Sequence, residues 1–335
     1  MEIPSSRPPD VSVLALGNWG TALANHLASK GLRVLGWARE AEIVDSINRD
    51  RRNPHYLSQV TLNPNFLATI ELSHALTAPY VVLAAPSSAL SSLVPKLVLS
   101  PSTILISAVK GFADDSLCTP LQYAEKYLPG PCHLAALSGP SFAKDIVVQN
   151  PAGVVAAASQ EEIARKVADL FSSERMRVYL STDLIGVELG GILKNAIALA
   201  VGISDGMGLG ESAKAGLITR GLAEMLRLST ALGAEPTTLF GLSGLGDLTM
   251  TATCDTSRNR TVGLRLGRGE SLPTILATLG SVAEGVRSTP LVARLARSKH
   301  VDMPITFELE KLLEGSVGVS QLLQNLMRRP TKREF

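Results

Sequence analysis

The sequence predicts an α/β chain in two parts, a doubly wound parallel sheet of Rossmann type followed by an all-helical C-terminal domain. Three observations carry this. Short apolar runs alternate with helical patterns through the first half, a glycine-bearing turn directly follows the first run, and from residue 183 the apolar stretches have helical length and period with no convincing strands between them. A chain of 335 residues accommodates two packed cores at roughly 150 residues each. The expected domains are 1–182 and 183–335.

In order along the chain, residues 11–16 (VSVLAL) form a strand that stops at Gly17, and an Ala/Leu-rich helix runs from near Trp19 to Lys30. Gly31 ends that helix and residues 33–38 (RVLGWA) supply a second strand, completing a right-handed βαβ unit. Further strands are expected at 80–84, 103–109, 132–137, 153–157 and 176–180. Their near-continuous apolar character signifies a parallel sheet covered on both faces. Helices are expected at 183–203 and 211–232, with Gly233, Pro236, Gly244, Gly246, Gly263, Gly267, Pro273 and Pro290 dividing the remainder into shorter ones.

Composition narrows the function classes. Hydrophobic residues make up 45% and charged residues 19% of the chain, which excludes a disordered protein. Lys and Arg total 32 against 30 Asp and Glu, so no overall field would hold the chain on a polyanion, and no nucleic-acid partner is expected. Mean hydropathy is +0.21, yet Gly, Pro or a charge interrupts each apolar stretch before the ~20 residues of a spanning helix, and no integral membrane segment is expected. Residues 1–10 are polar and Pro-rich without an apolar leader core, which makes the cytoplasm the expected compartment. Cys118, Cys132 and Cys254 are odd in number and far apart, arguing for reduced, packed thiols over a disulfide framework or a metal site. The basic end, residues 328–333, reads as a solvated tail.

The chemistry begins at the first strand-to-helix turn. Ala15-Leu16-Gly17-Asn18-Trp19-Gly20 stands where a G-x-G-x-x-G dinucleotide fingerprint would, with Ala15 replacing the first glycine. Gly17 lets the backbone approach a pyrophosphate, Gly20 lets helix and strand pack closely, and the helix N-terminus attracts the anion. At the end of the second strand, Arg39 suits a 2′-phosphate and favours NADP, while Glu40 keeps NAD open.

Lys110 follows an apolar strand, and Lys194 lies inside an apolar helix, where a lysine is costly unless partnered. Read alone, Lys194 is better explained as a snorkelling side chain at a helix edge. Gly190 and Gly191, one turn before it, suggest that something approaches the backbone there. Gly139, Ser141 and their neighbours end another strand, where ligands sit in open α/β sheets. Asp247 lies in a glycine-rich segment, and Ser257-Arg258-Asn259-Arg260 suits a phosphate or, as readily, an ordinary helix N-cap with solvated arginines.

Taken together, GNWGTALA (17–24), VKG (109–111), SGPSFAKD (138–145), ELGGILKN (188–195), GLGDL (244–248) and SRNR (257–260) resemble the NAD(P)-dependent glycerol-3-phosphate dehydrogenases of bacterial type. Each motif alone is common; six in order over nearly the whole chain are specific. The resemblance implies a cleft between the domains as active site and the interconversion of sn-glycerol 3-phosphate and dihydroxyacetone phosphate, supplying glycerophospholipid synthesis. It implies Lys194 as catalytic proton donor and acceptor, and Lys110 as a second lysine touching cofactor and substrate. It further implies Gly139, Ser141, Asp247, Ser257, Arg258 and Asn259 at the substrate, and Asn18, Trp19, Arg39, Ala143, Arg258 and Glu284 at NADP or NAD.

These roles make chemical sense. Reducing a ketone requires a hydride at carbon and a proton at an oxygen acquiring negative charge. A lysine serves if desolvation or a nearby cation such as Lys110 lowers its pKa, whereas Asp247 would orient it and act in the opposite sense. Arg258 and Asn259 would hold the phosphate and so position the carbonyl, and no metal is required because the lysine supplies the electrophile. Two other readings remain at this level: a related hydroxy-acid dehydrogenase using the same Lys/Asn pair, and a nucleotide-sensing regulator without turnover. The apolar helices make a homodimer plausible.

Overall fold

The computed structural model describes residues 8–113, 116–279, 283–331 and 333–334. Most of the N-terminal polar segment and Lys332 of the basic end therefore lie outside the described residues. Two compact units divide the chain, Met1–Glu188 and Leu189–Phe335.

Among its described residues the first unit holds eight strands, β1 (Val11–Leu14), β2 (Val34–Trp37), β3 (Phe66–Thr69), β4 (Tyr80–Leu83), β5 (Ile104–Ser107), β6 (His133–Ser138), β7 (Ala152–Ala157) and β8 (Met176–Ser181). They form one sheet in the order β3-β2-β1-β4-β5-β6-β7-β8. Among the described residues seven α-helices intervene: α1 (Asn18–Ser29), α2 (Ala41–Asp50), α3 (Leu72–Ala75), α4 (Leu90–Leu93), α5 (Pro120–Tyr127), α6 (Ala143–Val147) and α7 (Glu161–Phe171). Strand residues alternate between two buried clusters. Val82, Ile104 and Ile106 pack on one face with Leu23, Ile47 and Val167, while Val81, Leu83 and Leu105 pack on the other with Leu90, Leu97 and Tyr123.

Two features differ from expectation. The sheet is mixed: β7 runs antiparallel to β6 and parallel to β8. Continuous apolar character reports burial on both faces, which β7 shares, and carries no information about strand direction. The second feature is β3, absent from the sequence reading. It is a four-residue strand, FLAT, at the edge of the sheet.

Order reverses between β1 and β4: β2 pairs with β1 on one side and β4 pairs with it on the other. Beyond the carboxyl ends of these two strands lies the topological switch point, the place where open α/β sheets take ligands.

The second unit is helical. It consists of most of α8 (Leu184–Gly206), then α9 (Glu211–Ala231), α10 (Pro236–Leu239), α11 (Asp247–Thr253), α12 (Arg258–Gly267), α13 (Leu272–Leu279), α14 (Glu284–Ser298), α15 (Pro304–Leu313) and α16 (Val319–Met327). With 23 residues, α8 has the length and hydropathy of a membrane span, longer than the expectation of interrupted apolar stretches allowed. Its most apolar stretch is 89% buried inside the protein, so this hydrophobicity serves a core. The N-terminus of α8 is held by Asp183, whose Oδ1 accepts the Gly186 N–H at 2.9 Å. On α12, Gly263 faces the Leu199 carbonyl and Gly202 of α8 faces the Arg260 carbonyl, each so closely that a Cβ would sit 2.1–2.2 Å from the oxygen. That contact fixes the height at which the N-terminus of α12 is presented.

Candidate active site

In the first unit the turn after β1 is tightly determined. Ala15 adopts φ 75°, in the left-handed region normally reserved for glycine. Its carbonyl then lies so near α1 that a Cβ on Gly20 would meet it at 1.9 Å. Asn53, fully buried and unremarked in sequence, clamps the turn from outside. Its Nδ2 donates to the Leu16 carbonyl at 2.8 Å and to Thr21 Oγ1 at 2.9 Å, while its Oδ1 accepts from the His55 and Tyr56 amides. An isolated asparagine 37 residues downstream leaves no periodic signal.

This turn suits a dinucleotide pyrophosphate on two observations. A Cβ on Gly17 would meet nothing within 4 Å, so the chain's own packing does not fill the space there. Among the described residues no side chain caps α1 at Gly17, which leaves its N-terminal amides to an anion. Asn18 is exposed beside them. Trp19 is half-buried, with an indole Nε1 that is buried without a partner among the described residues. Arg39 is exposed just past β2, its Nη2 3.6 Å from the Glu40 carboxylate. Ala143 opens α6, which packs on α1.

Two of the predicted motifs converge on one carbonyl. Past β6, Gly139 takes φ 136°, a conformation open essentially to glycine. Its oxygen accepts from Lys110 Nζ at 3.1 Å and from Ser141 Oγ at 3.0 Å. The VKG and SGPS segments, from the ends of β5 and β6, are thus tied together.

The second unit contains the other cluster. Lys194 is buried in α8 and donates to Asp247 Oδ1, with side-chain exposures of 6% and 0%, and to Thr251 Oγ1 at 2.7 Å. Asp247 and Thr251 are one helical turn apart on α11 and therefore share a face. Thr251 was missed in the sequence; its i+4 spacing from Asp247 was the available signal. The close approach inferred at Gly190 is made by the protein itself, since a Cβ there would lie 2.5 Å from the Ser243 carbonyl. Gly190 thereby lets the segment leading to Asp247, a π-helical turn over Leu242–Gly246, lie directly on α8.

Asn259, at the start of α12, joins three helices. Its Nδ2 donates to Asn195 Oδ1 at 2.8 Å and its Oδ1 accepts the Gly285 N–H at 2.9 Å. Glu284, half-buried, stands next to Gly285 in the first turn of α14. Ser257 is the N-cap of α12, accepting the Arg260 amide at 3.3 Å. Arg260 is not part of an open phosphate clamp: it pairs with Asp205 at 2.7 Å and Asp255 at 2.6 Å. Arg258 alone of the two arginines is exposed.

Glu188, the last residue of the first unit, is buried. Its carboxylate accepts from Thr119 Oγ1 at 2.6 Å and the Leu121 amide at 3.0 Å, satisfying the N-terminus of α5. Burial pushes its pKa up to about 7 against the opposing pull of those two donors.

Residues 10–164 match the NAD-dependent glycerol-3-phosphate dehydrogenase N-terminus and residues 183–324 its C-terminus. The chain belongs to the NAD(P)-dependent glycerol-3-phosphate dehydrogenases. The dehydrogenase is 44% identical over 330 residues to glycerol-3-phosphate dehydrogenase [NAD(P)+] of Geobacter sulfurreducens, covering 97% of this chain and 98% of the relative. It is 45% identical to that of Anaeromyxobacter sp. (strain K), covering 97% and 99%. The crystal structure of glycerol-3-phosphate dehydrogenase from Coxiella burnetii superposes with a TM-score of 0.91 at 34% identity, covering 96% of this chain and 99% of that one. A ketopantoate reductase from Ralstonia eutropha, at TM-score 0.61 and 15% identity, shares the fold alone.

Proposed function

We propose that the dehydrogenase interconverts sn-glycerol 3-phosphate and dihydroxyacetone phosphate, with Lys194 as the group that moves the proton. The buried Lys194–Asp247–Thr251 cluster carries this reading. A lysine kept in an apolar helix against its desolvation cost is retained for its charge and its proton. A nicotinamide cofactor held at the turn after β1 would supply the hydride for C2 in the reducing direction. As the C2–O π bond opens, Lys194 transfers a proton from Nζ to the oxygen; in the oxidising direction it takes that proton back. Asp247 and Thr251 fix Nζ in place, so that orientation is set before the substrate arrives.

Gly17, Asn18, Trp19 and Gly20 would hold the dinucleotide, with Ala143, Arg258 and Glu284 as further cofactor positions. Arg39 would select NADPH by pairing with a 2′-phosphate, and Glu40 retains the option of NADH. Lys110, Gly139 and Ser141 serve the substrate from the first unit. From the second, Arg258 and Asn259 would hold the phosphate, supported by the exposure of the former and the second N–H of the latter's amide. Ser257 supports them as the cap of their helix. The product would feed glycerophospholipid synthesis in the cytoplasm, and the enzyme would act as a homodimer.

The deciding assay follows nicotinamide absorbance during reduction of dihydroxyacetone phosphate, with NADPH and NADH in turn, against a panel of 2-keto acids. Turnover confined to the phosphoester is expected. Turnover of a keto acid alone, or binding without turnover, rejects the reading.

A further inference from the structure

A concavity of about 400 Å³ lies wholly within the helical unit, walled by Ile203 of α8, Met207 just past its end, Leu217 of α9, Leu309 of α15, and Leu322 and Leu326 of α16. Its volume and apolar walls are those of a small-molecule site. It begins at Ala200, about 9 Å further along α8 than Lys194, and takes none of the groups assigned to the dehydrogenase reaction.

The polar groups around it are unevenly distributed. Arg220 and Arg227, seven residues apart and so on one face of α9, contribute two guanidinium groups, and Arg329 beyond α16 contributes a third. Arg227 Nε donates to the Asp302 carbonyl at 2.9 Å, Arg329 pairs with Asp302 at 2.8 Å, and Arg220 Nη1 is 3.7 Å from Glu334. Glu224 is the acidic residue in the lining, but three donors already occupy its oxygens: the Ile305 and Thr306 amides at 2.6 and 3.1 Å and Thr306 Oγ1 at 2.9 Å. It closes the floor with its oxygens taken by those donors, and of the three arginines Arg227 is the one whose charge reaches it. Ser204, also in the lining, has a buried hydroxyl with no partner among the described residues, an unmet hydrogen bond in the wall.

We infer that this cavity binds an unbranched aliphatic chain carrying an anionic head, the chain lying between α8, α9, α15 and α16 and the head among Arg220, Arg227 and Arg329. Apolar walls with cations gathered from two segments match such an amphiphile in both polarity and charge. A second copy of the protein fits less well, because a two-fold contact through this opening would set the same three arginines against one another.

The test is calorimetric titration of the full-length protein with acetate, octanoate, decanoate and dodecanoate. A second arm uses 1-dodecanoyl-glycerol 3-phosphate, which separates a carboxylate from a phosphate-ester source. One site per chain is expected in at least one arm, with affinity rising about tenfold for each two added methylenes and no binding of acetate. Ala213→Phe, which fills the cavity from a half-buried lining position, should weaken dodecanoate at least tenfold, as should Arg220→Ala combined with Arg227→Ala. Thermal melts establish that each variant folds, and Leu326→Arg replaces Ala213→Phe should that variant fail. Affinity independent of chain length, or unchanged in the cavity-filled variant, overturns the inference. So does the absence of binding in both arms, including the case where sedimentation shows the cavity variants dissociating a dimer.

Discussion

Lys194 and Asp247 form a buried ion pair 53 residues apart in sequence, with Thr251 completing the lysine's setting from one turn beyond the aspartate. Removing one member of such a pair leaves the other charge buried and uncompensated, which costs about 3–5 kcal/mol. Lys194→Ala is therefore expected to lower kcat by roughly 10²–10⁴ and to reduce stability by a comparable few kcal/mol, with cofactor affinity largely retained. Thr251→Ala, losing the hydrogen bond from Lys194 and a longer one to Asp247, should cost about 1–2 kcal/mol. Arg258→Ala, an exposed change, should instead raise KM for the phosphoester with kcat largely kept. Steady-state kinetics with urea melts separate these outcomes, and a fully active Lys194→Ala enzyme refutes the proton-transfer role.

Arg39 stands exposed beyond β2 beside Glu40. A guanidinium there offers paired donors to a 2′-phosphate, whereas a carboxylate would accept from a ribose 2′-hydroxyl and repel the phosphate. Arg39→Asp is expected to move the ratio of kcat/KM for NADPH over NADH downward by at least tenfold. Measuring both cofactors on the same preparation checks this, and an unchanged ratio removes Arg39 from the cofactor site.

What the sequence revealed, and what it hid, follows from the range of each signal. The βαβ opening, the helical second half and the placement of Lys194 in an apolar helix are local patterns, and they were legible. Strand direction at β6 and β7 was not, because burial looks the same for either direction. Gly190 announced a close neighbour correctly but not which one: the Ser243 backbone fills the space, not a ligand. Arg258 and Arg260 are indistinguishable as letters, yet Asp205 turns one inward and leaves the other exposed, a distinction made by a residue 55 positions away from Arg260. Asn53 and Thr251 act at comparable separations through single hydrogen-bonding groups, which no periodicity records.

Ala15 carries a strain that its neighbours maintain. A non-glycine residue in the left-handed region costs about 1–2 kcal/mol, and replacing alanine by glycine returns about 0.5–1 kcal/mol of backbone entropy to the unfolded chain. Ala15→Gly should therefore be net stabilising by about 0.5–1 kcal/mol, raising Tm by roughly 1–4 °C. Gly20→Ala acts on the same turn in the other direction, since its Cβ would fall 1.9 Å from the Ala15 carbonyl. It should lose several kcal/mol or displace the turn, seen as a lower melting temperature and a raised KM for the nicotinamide cofactor. An Ala15→Gly protein that melts lower than its parent contradicts the assignment of strain.

Glu188 and Glu224 make stability depend on pH in the sense opposite to an exposed, paired carboxylate. Burial lifts both to about 7, against two hydrogen-bond donors at Glu188 and three at Glu224. Unfolded, each titrates near the ordinary glutamate value of about 4.5. Between those two values the folded protein holds a proton that the unfolded chain has released. Their contribution is therefore fully present below about pH 4.5 and is lost as pH rises through about 7, by at most roughly 3 kcal/mol for each residue. Other carboxylates titrate in the opposite sense, so the comparison must be differential. Glu224→Gln, which keeps an acceptor oxygen for the α15 amides without the charge, should gain stability relative to the parent as pH is raised from 5 to 8. Glu188→Gln should do the same at the N-terminus of α5. Urea unfolding at several pH values measures both, and profiles running parallel to the parent's across that window show that neither carboxyl holds its proton in the folded state.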